Sequence, residues 1–166
     1  MIWKLFRRKT KMPADYSKLI DSQALEIVKD LQRGGHRAYL VGGCVRDLLL
    51  GTQPKDFDIA TTAHPRQVKK NIRDAYIIGR RFRLVLVKRG RDLFEVATFR
   101  RDATSEDEAF EDGPTAENLF GTPEEDAKRR DFTLNAVFYD PIRNKLIDYC
   151  GGLEDIKNHI VRMIGD

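Results

Sequence analysis

The stretch KDFDIATT, residues 55–62, constrains the fold more than any other in the chain. Phe57, Ile59 and the threonines favour a strand. In a strand, residues i and i+2 point to the same face. Phe57 and Ile59 therefore face the core, and Asp56 and Asp58 are aimed together at the other side. Two carboxylates so placed repel each other unless something positive lies between them.

A divalent cation is the relief with most chemical consequence. Mg²⁺ uses one or two carboxylates plus substrate phosphates, and a pair of such ions stabilises the attacking and leaving oxygens of a phosphoryl displacement. Alone, Asp-x-Asp is a weak signal, better fitted by an exposed acidic strand face or an N-cap after a turn. VGGCVRD, residues 41–47, adds a strand running into two glycines and then a helix. Gly42 and Gly43 let a ligand approach the backbone, the helix start offers N–H groups to phosphate oxygens, and Arg46 reaches the same region with a planar fork. The spacing is neither the dinucleotide-binding nor the P-loop pattern. RRDFTLNA, residues 129–136, supplies Arg130, Asp131 and Asn135 for a nucleotide's phosphate and sugar, loosely on one helical face. Glu95, in a strand with Thr98, is a candidate third metal ligand or general base.

Charge runs in blocks. Residues 3–11 carry five basic side chains and no acid, residues 65–101 twelve against three acids, and residues 102–126 ten acids and no base. The basic stretch alternates with strand residues and suits a polyanion. Apolar content of 41% over 166 residues allows one domain with a real core. No run is long enough to span a membrane, and Cys44 and Cys150 read as reduced thiols of a cytoplasmic protein.

The pattern predicts a basic tail over residues 1–15 and a helix from about Ser17 to Gly34-Gly35. A strand at AYLVGG, a helix at CVRDLLLG and the acidic strand follow. Next come a helix from Pro65 to about Ile72 and three strands, the last two joined at Gly90. Residues 101–121 read as a mobile acidic loop. A capping box at Thr122 with Glu125 opens a helix that DFTLNAVFY continues or restarts. KLIDY is a strand, GLEDIKNH a helix and IVRMIG a final strand.

The ordered set GGCVRD, DFD nine residues after Asp47, and RRDFTLNA resembles the class II nucleotidyltransferases. These are the bacterial poly(A) polymerases and the CCA-adding tRNA nucleotidyltransferases, and the resemblance covers residues 38–165. It implies an α+β fold: a polymerase-beta-like head with a small mixed β-sheet flanked by helices, over residues 16–166. It also implies that Asp56 and Asp58 carry two Mg²⁺ ions, with Asp131 and Glu95 as further catalytic carboxylates. Gly42, Gly43, Arg46, Arg130 and Asn135 would hold the nucleotide. The implied reaction joins AMP from ATP to an RNA 3′ end without a template.

IIGRRFRLVLV, residues 77–87, is similar to the poly(A) polymerases at this point, whereas CCA-adding enzymes more often carry Phe-Gly or His-Gly. Arg80, Arg81 and Arg83 add positive charge suited to an RNA backbone of any sequence. CCA addition, with CTP as well as ATP, is the alternative, and a catalytically incomplete binding head is another. The family continues into a Glu-Asp-x-x-Arg segment that selects the base and into RNA-binding helical domains. The chain ends where that segment should begin, so the expectation is a head of weak or unselective activity, or one completed by a partner chain.

Overall fold

The computed structural model describes residues 11–13, 16–79, 84–108 and 119–165. Among these, seven strands form one sheet: β1 (Ala38–Val41), β2 (Asp58–Thr61), β3 (Ala75–Ile78), β4 (Leu84–Arg89), β5 (Asp92–Thr98), β6 (Val137–Asp140) and β7 (Lys145–Asp148). The order is β3-β4-β5-β2-β1-β6-β7. Only the central β2–β5 pairing is parallel, so the sheet is mixed. The helices are α1 (Ser22–Arg33), α2 (Gly43–Leu49), α3 (Pro65–Asn71), α4 (Ser105–Glu108), α5 (Pro123–Lys128) and α6 (Gly152–Lys157).

Three of these helices cover one face. Ile27, Val28 and Leu31 of α1, Val45 and Leu48 of α2 and Val68 of α3 join Leu40, Ile59, Val85, Val87, Phe94 and Val96 in the main core. Strand alternation explains the set, because each strand sends every second side chain to this face. Phe57 and Ile59 are buried here, as their positions in KDFDIATT require.

The opposite face has a smaller aromatic core over one half only. Val41, Ala60, Phe99, Ala127, Ala136 and Phe138 pack there, with Tyr39 and Tyr149 against them. Phe99 and Phe138 meet edge to face at 5.7 Å between ring centres.

Several elements depart from the sequence pattern. The first helix starts at Ser22, with Asp21 accepting from the N–H groups of Gln23 and Ala24, and a separate 3-10 turn spans Tyr16–Leu19. Asp21 captures those two donors and so sets the boundary. DFTLNAVFY does not continue a helix. After α5 it makes a 3-10 turn, Thr133–Asn135, and then β6, whose residues are all buried. A strand interior to a sheet reads as a continuous apolar run, which periodicity cannot tell from a buried helix.

IVRMIG is not a ladder strand. It runs beside the 133–135 turn through one bridge, Phe132 with Met163, and through hydrogen bonds from Thr133 N–H to Arg162 O and from Ile164 N–H to Asp131 O. The acidic loop is pinned at both ends. Arg101 donates twice to the Asp107 carboxylate, at 2.6 and 2.9 Å, holding it well below the usual carboxylate range. At the other end Leu119 is buried and its carbonyl accepts from Arg101 N–H. Residues 109–118, between these anchors, lie outside the described residues. No described helix is long and apolar enough to cross a membrane.

Candidate active site

Register brings the carboxylates together. β2 pairs Asp58 with Val41 of β1 on one side and with Glu95 of β5 on the other. Paired residues of neighbouring strands point to one face, about 4.8 Å apart. Asp58 and Glu95 are therefore side by side, with Asp56 two residues upstream. All three are exposed. Partial desolvation by the protein around its carboxylate raises the Asp58 pKa first; Glu95 and Asp56 add repulsion, and Arg130 alone among the acting charges opposes them.

Gly42 closes this corner. Its φ of +79° is a backbone state that side chains rarely adopt, and it opens α2 directly over the site. A Cβ at Gly42 would touch Arg130 Nη1 at 3.7 Å and Asp58 Oδ2 at 3.8 Å. That puts the glycine, the cation and the acid in van der Waals range of one point.

Two arginines are fixed around Asn135, and Arg130 is the one that reaches the Asp58 corner. Arg130 donates from Nε and Nη2 to Asp126 Oδ2, at 3.2 and 2.9 Å, and lies over the Phe138 ring at 5.7 Å. Its Nη1 donates to the Asn135 backbone carbonyl at 3.4 Å. Arg46 is held by Asp47, with Nε 2.9 Å and Nη2 2.8 Å from Oδ1, and its Nη1 donates to Asn135 Oδ1 at 3.0 Å. Asn135 thus touches both guanidinium groups, one through its side chain and one through its backbone. Arg130, Asp131 and Asn135 do not share a helical face, because α5 has ended at Lys128 and Asn135 closes the 3-10 turn.

Asp126 and Asp47 are site residues that the sequence reading passed over. Asp126 is buried, and its second oxygen accepts from Arg100 N–H. The i,i+4 spacing of Asp126 and Arg130 and the adjacency of Arg46 and Asp47 were the available signals. Asp131 is exposed, its carbonyl accepts from Ile164 N–H, and it is not among the charges acting on Asp58. Arg80, Arg81 and Arg83 lie outside the described residues.

The donor set suits a hard divalent cation. Asp56, Asp58 and Glu95 are all oxygen donors, and neutralising their mutual repulsion is what such an ion does. Among the described residues no three side chains converge to hold a metal unaided. Mg²⁺ has that habit, completing its shell with water and substrate phosphates. Neither cysteine competes: both are free, and Cys44 is buried beneath the turn with its thiol pushed up to about 12 by desolvation. A cavity of about 540 Å³ opens at the Ala38 end of β1, lined by Gln32, His36, Arg37, Tyr39 and Arg143. It holds none of these carboxylates, so the candidate site is the sheet face and not this cavity.

A family model described as the poly A polymerase head domain matches residues 38–162. The chain belongs to this family. Poly(A) polymerase I of Haemophilus influenzae is 48% identical over 161 residues, 93% of this chain and 35% of that protein. The CCA-adding enzyme of Lactobacillus helveticus is 40% identical over 145 residues, 87% of this chain and 35% of that protein. Among solved structures, the Bacillus stearothermophilus CCA-adding enzyme in complex with CTP superposes with a TM-score of 0.72 at 36% identity, over 93% of this chain and 34% of that one. The Thermotoga maritima CCA-adding enzyme complexed with tRNA does so at 0.68 and 25% identity, over 94% and 36%. The chain spans about a third of the length of the relatives it matches. The α+β head with a mixed sheet and flanking helices is thus the fold shared with these head domains.

Proposed function

We propose that this chain is the catalytic head of a template-independent RNA nucleotidyltransferase that adds AMP from ATP to RNA 3′ ends. The observation that carries the reading is the register of Asp58 beside Glu95, with the Asp56 charge acting on Asp58 and Arg130, anchored by Asp126, at the same corner. The poly(A) reading is favoured by the 48% identity to a poly(A) polymerase I, against 40% to a CCA-adding enzyme.

In this reading Asp56 and Asp58 hold Mg²⁺, which supplies charge neutralisation at the reacting phosphates when bound. Arg46 and Arg130 bind the triphosphate oxygens, each pre-set by a carboxylate behind it so that little order is lost on binding. Gly42 and Gly43 let the nucleotide approach the backbone, and the Asn135 side chain, turned by Arg46, contacts its sugar. Asp131 stands at the rim of the same turn. Glu95 accepts the proton of the RNA 3′-hydroxyl as that oxygen attacks the α-phosphate. The bond from the α-phosphorus to the bridging oxygen breaks, and pyrophosphate leaves. Arg80, Arg81 and Arg83 contact the RNA backbone.

Primer extension with each nucleoside triphosphate tests this. Mg²⁺-dependent transfer of AMP, lost in Asp56→Ala and Asp58→Ala while RNA binding persists, is expected. No transfer by the unaltered chain, alone or joined to the rest of a family member, would refute it. A terminating CCA on a trimmed tRNA would move the chain to the other branch.

A further inference from the structure

The row of paired residues that holds Asp58 and Glu95 continues outward: Glu95 pairs with Leu86 of β4, and Leu86 with Tyr76 of β3. All of these side chains point to the site face. Alternation adds Ile78 to the face on β3, Leu84 and Lys88 on β4, and Leu93 on β5. Sheet faces open to water are normally polar. This one is not: Tyr76 is 53%, Ile78 46% and Leu93 61% exposed.

We propose that this open half of the face is a platform for the RNA strand just behind its 3′ end. Tyr76 is its stacking group and Lys88 its phosphate contact. The proposal rests on the nucleotidyltransferase reading and names where its primer lies. Three features of the strip favour RNA as the occupant. The strip is continuous in register with the reacting carboxylates, so a strand whose end sits at Asp58 must cross it or leave the sheet. Tyr76 lies three strand spacings from Asp58, about 14 Å, or about four stacked nucleotides at the duplex rise. Finally, Lys88 is exposed on the strip, within the stretch of twelve basic residues against three acids.

The chemistry also predicts what the platform reads. Tyr76, Ile78, Leu84, Leu86 and Leu93 offer ring and aliphatic surface and no amide to a base edge. Bases would be held by their faces, which all four nucleotides share. Such a surface accepts any primer sequence, as an enzyme that tails unrelated RNAs requires.

Two measurements on the full chain test this: anisotropy titration with a short single-stranded RNA, and photo-crosslinking with 4-thiouridine placed singly along its 3′ end. Tyr76→Ala is expected to weaken RNA binding about tenfold, while Tyr76→Phe keeps it. Lys88→Ala lowers the salt dependence by about one phosphate contact. Crosslinks from the nucleotides a few positions behind the end should map to β3–β5. Unchanged binding by Tyr76→Ala, or crosslinks confined to other elements, overturns the platform. If the unaltered chain binds and extends RNA in that case, only the platform falls. If it neither binds nor extends RNA, the functional reading falls with it.

Discussion

The face that carries the acids has two unlike halves. Over β1, β6 and β7 it is covered: the aromatic cluster, with Ala127 of α5 and Ile164 packed into it, buries it, and Arg130 and Arg46 are each tied to a buried or neighbouring carboxylate. Over β5, β4 and β3 the same face is open, and large apolar side chains stand in solvent. Asp58 sits on the boundary. The covered half holds its arginines in one geometry, which in the proposed reading serves a triphosphate. The open half leaves its side chains accessible, as the proposed RNA platform requires.

Substitutions on each half should separate these roles. The largest effect belongs to the boundary itself: Asp58→Ala lowers the rate of nucleotidyl transfer at least about a thousandfold, or ~4 kcal/mol. Single-turnover kinetics at saturating RNA and ATP measure it. A loss of tenfold or less would mean that the reacting phosphate lies elsewhere.

Next comes Gly152→Ala, which tests the rigidity of the covered half. An added Cβ would collide with the Thr133 carbonyl and meet Val137 Cγ2 at 2.7 Å. The Thr133 hydroxyl is already committed to Asp155 Oδ2 at 2.6 Å, so the turn cannot move aside freely. A loss of about 3 kcal/mol in denaturant unfolding is expected. A change near zero would show that the turn yields, and with it the grip on Asn135.

Asp126→Ala removes the anchor of Arg130 and leaves both that guanidinium and the Arg100 N–H without this acceptor. The expected cost is about 2 kcal/mol, below that of a fully buried pair because Arg130 keeps some contact with water. ATP affinity should fall with it while RNA affinity holds. Equal losses of both would blur the two halves into one.

A smaller effect runs the other way. The folded-state pKa of Asp58 lies above its unfolded value, through burial and then Glu95, with Asp56 adding to it against Arg130. A carboxyl of that kind favours the fold most below its unfolded pKa, and the contribution is lost as pH rises through the folded value. At neutral pH its charge is a net cost. Asp58→Asn should therefore stabilise the fold at neutral pH by about 0.5 kcal/mol or less given solvent screening, seen as a small rise in Tm. The gain should vanish as pH falls through the ordinary carboxylate range. Millimolar Mg²⁺ should stabilise the unaltered chain and not the variant. Thermal melts across pH, with and without Mg²⁺, check both signs.

The smallest effect belongs to the open half. Tyr76→Ala should change stability by no more than about 0.5 kcal/mol, since an exposed side chain has little packing to lose. A larger drop in Tm would mean that Tyr76 serves the fold and not a ligand.

Much of this was legible in the residues. KDFDIATT announced the burial of Phe57 and Ile59, because period-two alternation is local, but the strand itself spans only Asp58–Thr61 and Asp56 precedes it. The α1 stripe, the Gly90 hairpin and the Thr122 capping box were readable for the same reason. The misreadings share another cause. VFYD of β6 looks helical or buried in either state until β1 and β7 close on both its edges. The 160–164 segment has strand-like composition but no ladder partner beyond one bridge.

By itself, then, the sequence determined that two acids lie two residues apart at the entry to a strand, though the ladder takes in only Asp58 and leaves Asp56 just before it. It also carried the ordered motifs that mark the family. Only the tertiary structure decided that Glu95 is the acid beside Asp58, because residues 37 apart in the chain meet through a parallel pairing no local pattern encodes. It likewise decided that Asp126 and Asp47, and not solvent, set the two arginines. It also left half the sheet face uncovered. Local periodicity fixes which way a side chain points, and long-range pairing fixes what it points toward.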